Sequence, residues 1–356
     1  MKIDLHTHIL PPPEQWEDLS AKFGYPGWVS LHQHKPCCAR MVVDGKVFRE
    51  VQSNCWDPRA RLAECARVPA DAGGPVTAQV LSTVPVMFAY WAKARDGLEV
   101  SRWLNDHIAS VCAQSPDRYF GLGTVPLQDP QAACAELERC VRTLGLAGVE
   151  IGSHVNAWNL DEPALFPFFE RCAALGAAVF IHPWEMLGSD EMPRYWMPWL
   201  VGMPAETCRA ICSMIFGGVL ERLPALRVCF AHGGGSFPGT VGRIEHGFVS
   251  RPDLCAVNNA VNPRAYLRDE ATGRPARFFV DSLTHDAHAL RQVIRLFGAE
   301  RVALGSDYPF PLGEGAPGRL IASMADLSPA DRTRLFSGTA LEFLGRPACR
   351  ATGSEA

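Results

Sequence analysis

The sequence predicts an α/β fold, a distorted (β/α)8 TIM barrel with a small insertion lobe over the barrel mouth. Three observations lead to this fold class: the chain contains eight short apolar runs, helix-length segments separate them, and most runs end in polar, glycine or proline residues. Fully buried parallel strands have this pattern, and their carboxyl ends open onto loops. The eight runs are residues 2–8, 77–85, 120–127, 148–154, 177–183, 227–233, 277–282 and 301–309.

The segments between these runs are predicted to be helices. Their apolar residues recur at helical spacing, and three of the segments stop at a glycine, which readily adopts the left-handed conformation that ends a helix. These three segments and their glycines are 130–144 with Gly145, 162–175 with Gly176, and 287–297 with Gly298.

Two regions depart from a bare barrel. Residues 10 to about 56 separate the first run from the second, and they contain two short β segments around Asp44 and Gly45. An Asp-Gly pair between such segments indicates a tight hairpin, so we expect a small insert over the barrel mouth. The second region, residues 236 to about 276, is predicted to be rich in loops.

Composition excludes several classes of protein. Hydrophobic residues make up 47% of the 356 residues and charged residues 20%, which is typical of a globular protein and not of a disordered one. The net charge of −4 and the absence of a dense basic run argue against a nucleic-acid partner. No apolar run approaches the ~20 residues that span a bilayer, so no membrane partner is expected.

The cysteines and the carboxyl-terminal residues indicate a reducing compartment and a flexible tail. The 13 cysteines form no Cys-x-x-Cys pair and mostly lie in apolar stretches, which is typical of reduced thiols in the cytosol. We expect the barrel to span residues 1–345, with a flexible carboxyl-terminal tail at 346–356.

His6 and His8 are the first residues that indicate chemistry. They lie two apart on the first predicted strand, where side chains at this spacing point to the same face. The residues around them, Ile3, Leu5 and Ile9, are apolar. A buried strand that directs two imidazoles at one place favours a metal ion between them.

Three later runs also deliver polar side chains at their carboxyl ends. His182 ends the fifth run, His232 the sixth and Asp307 the eighth. Active sites of parallel barrels form at this end of the strands. Taken singly, Asp307 could be a turn residue and His182 a helix cap. It is the joint occurrence on several strands that supports a site.

This set of residues resembles the amidohydrolase superfamily, which has His-x-His on strand one, histidines on strands five and six, and an aspartate on strand eight. The resemblance implies that His6, His8, His182 and Asp307 bind the metal and that His232 is the catalytic acid/base. Zinc suits imidazole and carboxylate ligands and leaves a position open for water. The fourth run offers no lysine to bridge two metals, so one zinc ion per chain is expected.

Longer motifs narrow the resemblance. The stretches FGYPGWV, NCWDP, RVCFAHGGGSFPGTVGRI and GSDYPFPLGE are similar to the aminocarboxymuconate-semialdehyde decarboxylase family, and the similarity covers nearly the whole chain. It implies a zinc-dependent, non-oxidative carboxy-lyase of tryptophan–kynurenine catabolism. The reaction converts 2-amino-3-carboxymuconate 6-semialdehyde to 2-aminomuconate 6-semialdehyde and CO2. It limits quinolinate formation, because unreacted substrate cyclises to quinolinate.

A dicarboxylate substrate needs cationic partners. The resemblance implies that Arg49 and Arg243 bind the substrate carboxylates, with Arg243 donated by the neighbouring subunit of a homodimer. Arginine suits this role because it binds a carboxylate through two parallel hydrogen bonds. Lys46, Met186 and Trp199 align with residues that line the family's substrate pocket.

Three further segments lead to predictions about the subunit interface and about two insertions. Residues 196–219 are rich in Trp, Met, Ile and Phe, more apolar than the outer helix of a lone barrel, which favours the homodimer. Relative to the family, extra residues lie between 61 and 79 and between 266 and 281. Both insertions precede predicted strands, so we expect them at the barrel face opposite the chemistry.

Two alternatives remain open from the residues alone. A metal-dependent hydrolase of the same superfamily, a lactonase or amidase, would use the same metal and His232, but its pocket would not need two arginines. A non-catalytic protein with a structural zinc would close the metal with four tight ligands, often thiolates. That protein would leave His232 without a role.

Overall fold

A computed structural model gives the structure of residues 1–347, so residues 348–356 of the predicted tail lie outside the described residues. The parallel barrel predicted from the sequence is confirmed. Each of the eight apolar runs contains one of its strands. The thirteen strands of the described chain are β1 (Ile3–His8), β2 (Val29–Lys35), β3 (Cys38–Val43), β4 (Lys46–Gln52), β5 (Ala78–Ser82), β6 (Tyr119–Gly123), β7 (Gly148–Gly152), β8 (His154–Val155), β9 (Trp158–Asn159), β10 (Ala178–His182), β11 (Arg227–Phe230), β12 (Phe279–Asp281) and β13 (Val302–Ala303).

The barrel strands follow the order β1-β5-β6-β7-β10-β11-β12-β13, and all neighbouring pairs are parallel. Their side chains form the buried centre of the molecule, as expected for strands covered on both faces. The last barrel strand, β13, has only two residues. The contact between the eighth strand and β1, which we call the seam, therefore has few backbone hydrogen bonds: Leu5 N–H donates to Leu304 O, and His8 N–H donates to Tyr308 O, both at 2.8 Å.

Helices cover the outside of the barrel, and one region was predicted wrongly. The α-helices are α1 (Leu19–Phe23), α2 (Pro58–Ala66), α3 (Ala94–Gln114), α4 (Pro130–Glu138), α5 (Phe166–Leu175), α6 (Met203–Phe216), α7 (Val219–Arg222), α8 (Phe237–Ser250), α9 (Pro252–Cys255), α10 (Ala287–Phe297), α11 (Arg319–Ser323), α12 (Pro329–Thr333) and α13 (Thr339–Phe343). The region 236–276, predicted to be rich in loops, contains the fourteen-residue helix α8. Its three glycines weaken the helical signal, but burial of Phe237, Val241 and Phe248 stabilises the helix.

The apolar segment 196–219 is explained mostly within one chain. The buried face of α6 packs into the chain's own core, so the composition of this helix does not by itself require a partner. The stretch just before α6 differs, since Trp196, Leu200 and Val201 are 41%, 51% and 49% exposed.

The insertion lobe is present as predicted, with one strand more than expected. Strands β3 and β4 form the hairpin, and Asp44 and Gly45 in its turn have φ values of 49° and 73°, as a tight two-residue turn requires. Strand β2 pairs with β3 to make a three-stranded antiparallel sheet. The apolar side chains of the lobe pack in one cluster with residues that follow β5 and with the barrel helix α3, among them Val84, Val100 and Leu104.

The extra residues before β5 lie at the amino-terminal end of the barrel, as expected. The Nζ atom of Lys2, which precedes β1, donates to the carbonyl oxygens of Ala72 and Gly74 at 2.7 and 2.8 Å. The second insertion packs against the carboxyl end of α10, where Arg268 N–H donates to Leu296 O. No helix within residues 1–347 is both long and apolar enough to cross a membrane.

Candidate metal centre and active-site pocket

Five side chains predicted from the sequence meet at the carboxyl ends of the barrel strands. His6, His182, His232 and Asp307 each offer a ligand atom, and these four atoms lie within 4.8 Å of one another. His8 belongs to the same group, because its Nε2 lies 3.1 Å from Nε2 of His6 and 3.2 Å from Oδ1 of Asp307. All five are buried or nearly so.

Three of the histidines are held in a fixed orientation through Nδ1. A carbonyl or carboxylate oxygen only accepts, so each of these Nδ1 atoms carries a hydrogen and leaves Nε2 available as an electron-pair donor. Nε2 of His182 is buried and has no hydrogen-bond partner in the described chain. The three hydrogen bonds run from His6 to Oδ2 of Asp281 (2.7 Å), from His8 to the carbonyl of Thr83 (2.8 Å), and from His182 to the carbonyl of Pro183 (2.9 Å).

This arrangement attracts positive charge. Burial opposes charge on His6, but its hydrogen bond to Asp281 and the nearby Asp307 carboxylate raise the pKa of His6 to about 9. Burial likewise opposes charge on Asp307, yet the neighbouring imidazoles of His8 and His6 lower the pKa of Asp307 to about 2. The pocket thus holds a carboxylate beside inward-facing imidazoles. Such residues fit a divalent ion, which would displace the proton.

Asp281 organises the candidate metal centre, although it is not among the site residues predicted from the sequence. It ends the seventh apolar run, so the rule that found His182 and Asp307 could have found it too. Besides the bond from His6, its carboxylate accepts hydrogen bonds from the backbone N–H groups of His232 (2.9 Å) and Gly233 (2.8 Å). It therefore orients one candidate metal ligand and the loop that carries His232. His232 itself has a φ of 57°, a left-handed backbone conformation that is strained for residues other than glycine.

Glu150 is a second buried acid near the centre. It lies on β7, the fourth barrel strand, where the sequence offers no lysine. Its Oε1 is 3.6 Å from Nδ1 of His8, and neither carboxylate oxygen has a hydrogen-bond partner among the described residues. Burial raises the pKa of Glu150 well above its usual range. In the sequence, the signal for this buried acid is a single glutamate within an apolar run.

The candidate metal centre lies in the wall of a cavity of about 580 Å³, which we call the active-site pocket. Its lining is mostly apolar and aromatic. Arg49 extends from the lobe into this pocket, and its guanidinium lies 4.6 Å from the ring centroid of Phe310. Burial lowers the pKa of Arg49 although Asp307 acts in the opposite direction. Aromatic and apolar lining residues include Phe48, Trp184, Trp196, Trp199, Leu200 and Phe310.

The structure separates the predicted substrate residues into two groups. Arg49 and Trp199 line the active-site pocket. Lys46 is exposed beside the hairpin turn and Met186 is buried outside the pocket lining. Arg243 is exposed on α8 and does not line the pocket of its own chain.

The similarity of this chain to known proteins identifies its family. A model of the amidohydrolase family matches residues 3–346. The chain belongs to the amidohydrolase family. This membership agrees with the barrel, with the His-x-His on β1 and with the remaining candidate ligands at the strand ends.

Relatives within this amidohydrolase family are decarboxylases. The 2-amino-3-carboxymuconate-6-semialdehyde decarboxylase of Dictyostelium discoideum is 59% identical over 345 residues, which are 97% of this chain and 92% of that protein. The Caenorhabditis elegans protein of the same name is 39% identical and covers 96% of this chain and 94% of its own length. These relatives indicate that the chain is a non-oxidative decarboxylase, a carboxy-lyase, and give no support to a lactonase or amidase.

Solved structures agree on the fold. The 5-carboxyvanillate decarboxylase of Sphingomonas paucimobilis superposes with a TM-score of 0.77 at 24% identity, covering 97% of this chain and 99% of that one. At this identity the comparison bears on the amidohydrolase barrel alone.

We expect Asp281→Asn to weaken metal binding by about 10- to 100-fold, because the amide nitrogen cannot accept the hydrogen bond from Nδ1 of His6. Titration of the purified variant with Zn2+ against a competing chelator measures this change. Asp253→Asn, which alters a fully exposed carboxylate, is the matched control. Unchanged Zn2+ affinity in Asp281→Asn would show that His6 does not depend on this bond.

Proposed function

We propose that this chain is a zinc-dependent decarboxylase that converts 2-amino-3-carboxymuconate 6-semialdehyde to 2-aminomuconate 6-semialdehyde and CO2. The observation that carries this proposal is the relative of that name that is 59% identical over 97% of the chain. In tryptophan–kynurenine catabolism, the reaction would limit formation of quinolinate. The free thiols of the described cysteines are in keeping with a cytosolic enzyme.

The proposed metal ligands are His6, His8, His182 and Asp307. His8 and His232 compete for the fourth place. A ligand atom of His232 lies within 4.8 Å of those of His6, His182 and Asp307, whereas Nε2 of His8 lies 3.1 Å from that of His6 and 3.2 Å from Oδ1 of Asp307. A ligating histidine almost always donates its other ring hydrogen to an acceptor, which fixes the ring. His8 does so, whereas Nδ1 of His232 is buried and has no partner within residues 1–347. This difference favours His8 as the ligand.

Zinc suits this set of imidazole and carboxylate ligands, and when bound it supplies a Lewis acid that lowers the pKa of water. Residues of the chain itself would bind the substrate and exclude water. Arg49 is positioned to bind a substrate carboxylate inside the active-site pocket. The apolar walls around it exclude water from the reacting carbon.

His232 is proposed to move the proton. Decarboxylation breaks a C–CO2 bond, and a proton must replace the carboxyl group at that carbon. Burial lowers the pKa of His232 to about 4, so its imidazole is neutral near pH 7. A neutral imidazole beside the pocket can accept a proton from water and pass it to the carbon that loses CO2.

A homodimer is part of the proposal. Arg243 is exposed on α8 and does not reach the active-site pocket of its own chain, in keeping with a role in a neighbouring subunit's pocket. Trp196, Leu200 and Val201 give the surface beside the pocket an exposed apolar character suited to a partner.

The direct test supplies the purified protein with enzymatically generated 2-amino-3-carboxymuconate 6-semialdehyde. We expect loss of the substrate's absorbance with equimolar release of CO2. Chelation of the metal should abolish the activity, and Zn2+ should restore it at about one equivalent per chain. Substrate loss without CO2, at the rate of spontaneous cyclisation, would contradict the assignment.

His232→Ala should retain bound zinc and lose turnover by about 10²- to 10⁴-fold, because a proton-transfer group and not a ligand is removed. Elemental analysis and steady-state kinetics measure the two effects. His288→Ala, which changes an exposed histidine on α10, controls for loss of an imidazole. A metal-free His232→Ala protein would mean that His232 is a ligand.

Mixing two inactive variants tests the shared site. An Arg243→Ala chain keeps its metal centre but lacks the arginine for its partner, whereas a His232→Ala chain keeps the arginine. After subunit exchange, heterodimers would carry one intact site, so the mixture should regain a fraction of wild-type activity. If exchange is demonstrated and the mixture stays inactive, Arg243 does not act across the interface.

A further inference from the structure

Arg61 is a fully buried arginine that the proposed chemistry does not use. It lies on α2, at 0% exposure, between this helix and the outer wall of the barrel. None of the described carboxylates forms an ion pair with it. Burial of an unpaired guanidinium is unfavourable unless its hydrogen-bond donors are satisfied. The groups that accept hydrogen bonds from Arg61 therefore indicate what this residue does.

Those contacts converge on the strand that carries the metal-binding histidines. Nη1 donates to the carbonyl oxygen of His8 at 2.6 Å and to that of Asn54 at 3.1 Å. Nη2 donates to Oγ1 of Thr7 at 2.9 Å, and Nε donates to Oε1 of Gln79 at 3.1 Å. Arg61 thus fixes the backbone of His8 from the side of β1 that faces away from the active-site pocket.

The same helix also fixes the other side of the seam. The guanidinium of Arg61 lies 4.7 Å from the ring centroid of Tyr308, the residue after Asp307. One helical turn further along α2, Glu64 accepts a hydrogen bond from the hydroxyl of Tyr308 at 2.5 Å. Asn54 donates to the same carboxylate at 3.1 Å.

The seam needs such support because its backbone pairing is sparse. β13 ends at Ala303, before Asp307, and near the metal centre β1 is joined to the eighth strand by a single bridge between Thr7 and Tyr308. His8 and Asp307 approach one another from the two sides of this bridge, with 3.2 Å between Nε2 and Oδ1. Any widening of the seam would separate these two side chains.

We propose that Arg61, Glu64 and Tyr308 form a seam clamp that sets the separation of His8 and Asp307 and thereby the affinity for the metal ion. They are positioning residues, since none of them is among the residues that line the active-site pocket. The inference rests on the proposed metal function of His8 and Asp307. It adds the residues that hold this centre together across the sparsely paired seam.

The test compares Zn2+ affinity with the stability of the protein without zinc. A purely structural role would lower the unfolding temperature of the zinc-free protein and leave the Zn2+ dissociation constant unchanged. A positioning role raises the dissociation constant and also shifts the visible absorption of the Co2+-loaded protein, which reports ligand geometry. Competition with a chelating dye measures the Zn2+ constant.

Two variants of different severity are used. Arg61→Lys keeps the charge but cannot make all four hydrogen bonds, and we expect about 10-fold weaker Zn2+ binding. Tyr308→Phe keeps the ring and removes only the hydroxyl bonded to Glu64, so a smaller change in the same direction is expected. Arg59→Lys, on the exposed face of the same helix, is the control and should match the wild type.

The outcomes separate this inference from the proposed function. If the wild type binds no Zn2+, the proposed metal function fails and the seam clamp fails with it. If the wild type binds Zn2+ but both variants stay within twofold of it, the seam clamp alone is overturned. If Arg61→Lys does not fold, Tyr308→Phe decides by the same twofold criterion.

Discussion

Convergence of electron-pair donors at one buried place is the constraint on which this structure depends. Each Nδ1 of His6, His8 and His182 gives its hydrogen to a fixed acceptor, so the opposite ring nitrogens and the Asp307 carboxylate are left to share whatever positive charge is available. Buried groups of this kind repel one another unless a cation lies between them. A divalent ion therefore explains their orientation more simply than any packing role.

The barrel supplies the geometry that this constraint requires. Parallel strands bring residues distant in sequence to one rim. His8 and His182 end their strands, and His6 lies two residues before the end of β1. His232 and Asp307 follow the ends of β11 and β13. Arg49 extends from the lobe, so one pocket combines the candidate metal ligands with a buried guanidinium. Because β1 and the eighth strand meet through few bonds, α2 contributes to the same centre from outside the barrel wall.

The sequence predicts the parts of this design that depend on short-range patterns. Each of the eight barrel strands lies in an apolar run, and four of these runs carry a candidate group near the carboxyl end of the strand: His6, His8, His182, His232 and Asp307. Other parts depend on long-range packing. Helix α8 was missed because its glycines lower the local helical signal while burial of Phe237 and Phe248 decides the outcome. The role of Asp281 needs its partner His6, which is 275 residues away.

Anomalous diffraction from crystals of the zinc-loaded protein is the most direct test of the central claim. The account predicts one peak per chain at about 2.0–2.2 Å from Nε2 of His6, His8 and His182 and from the carboxylate of Asp307. His232 should lie outside the coordination sphere. A peak coordinated by His232 in place of His8, two peaks per chain, or no peak at this position would contradict the account.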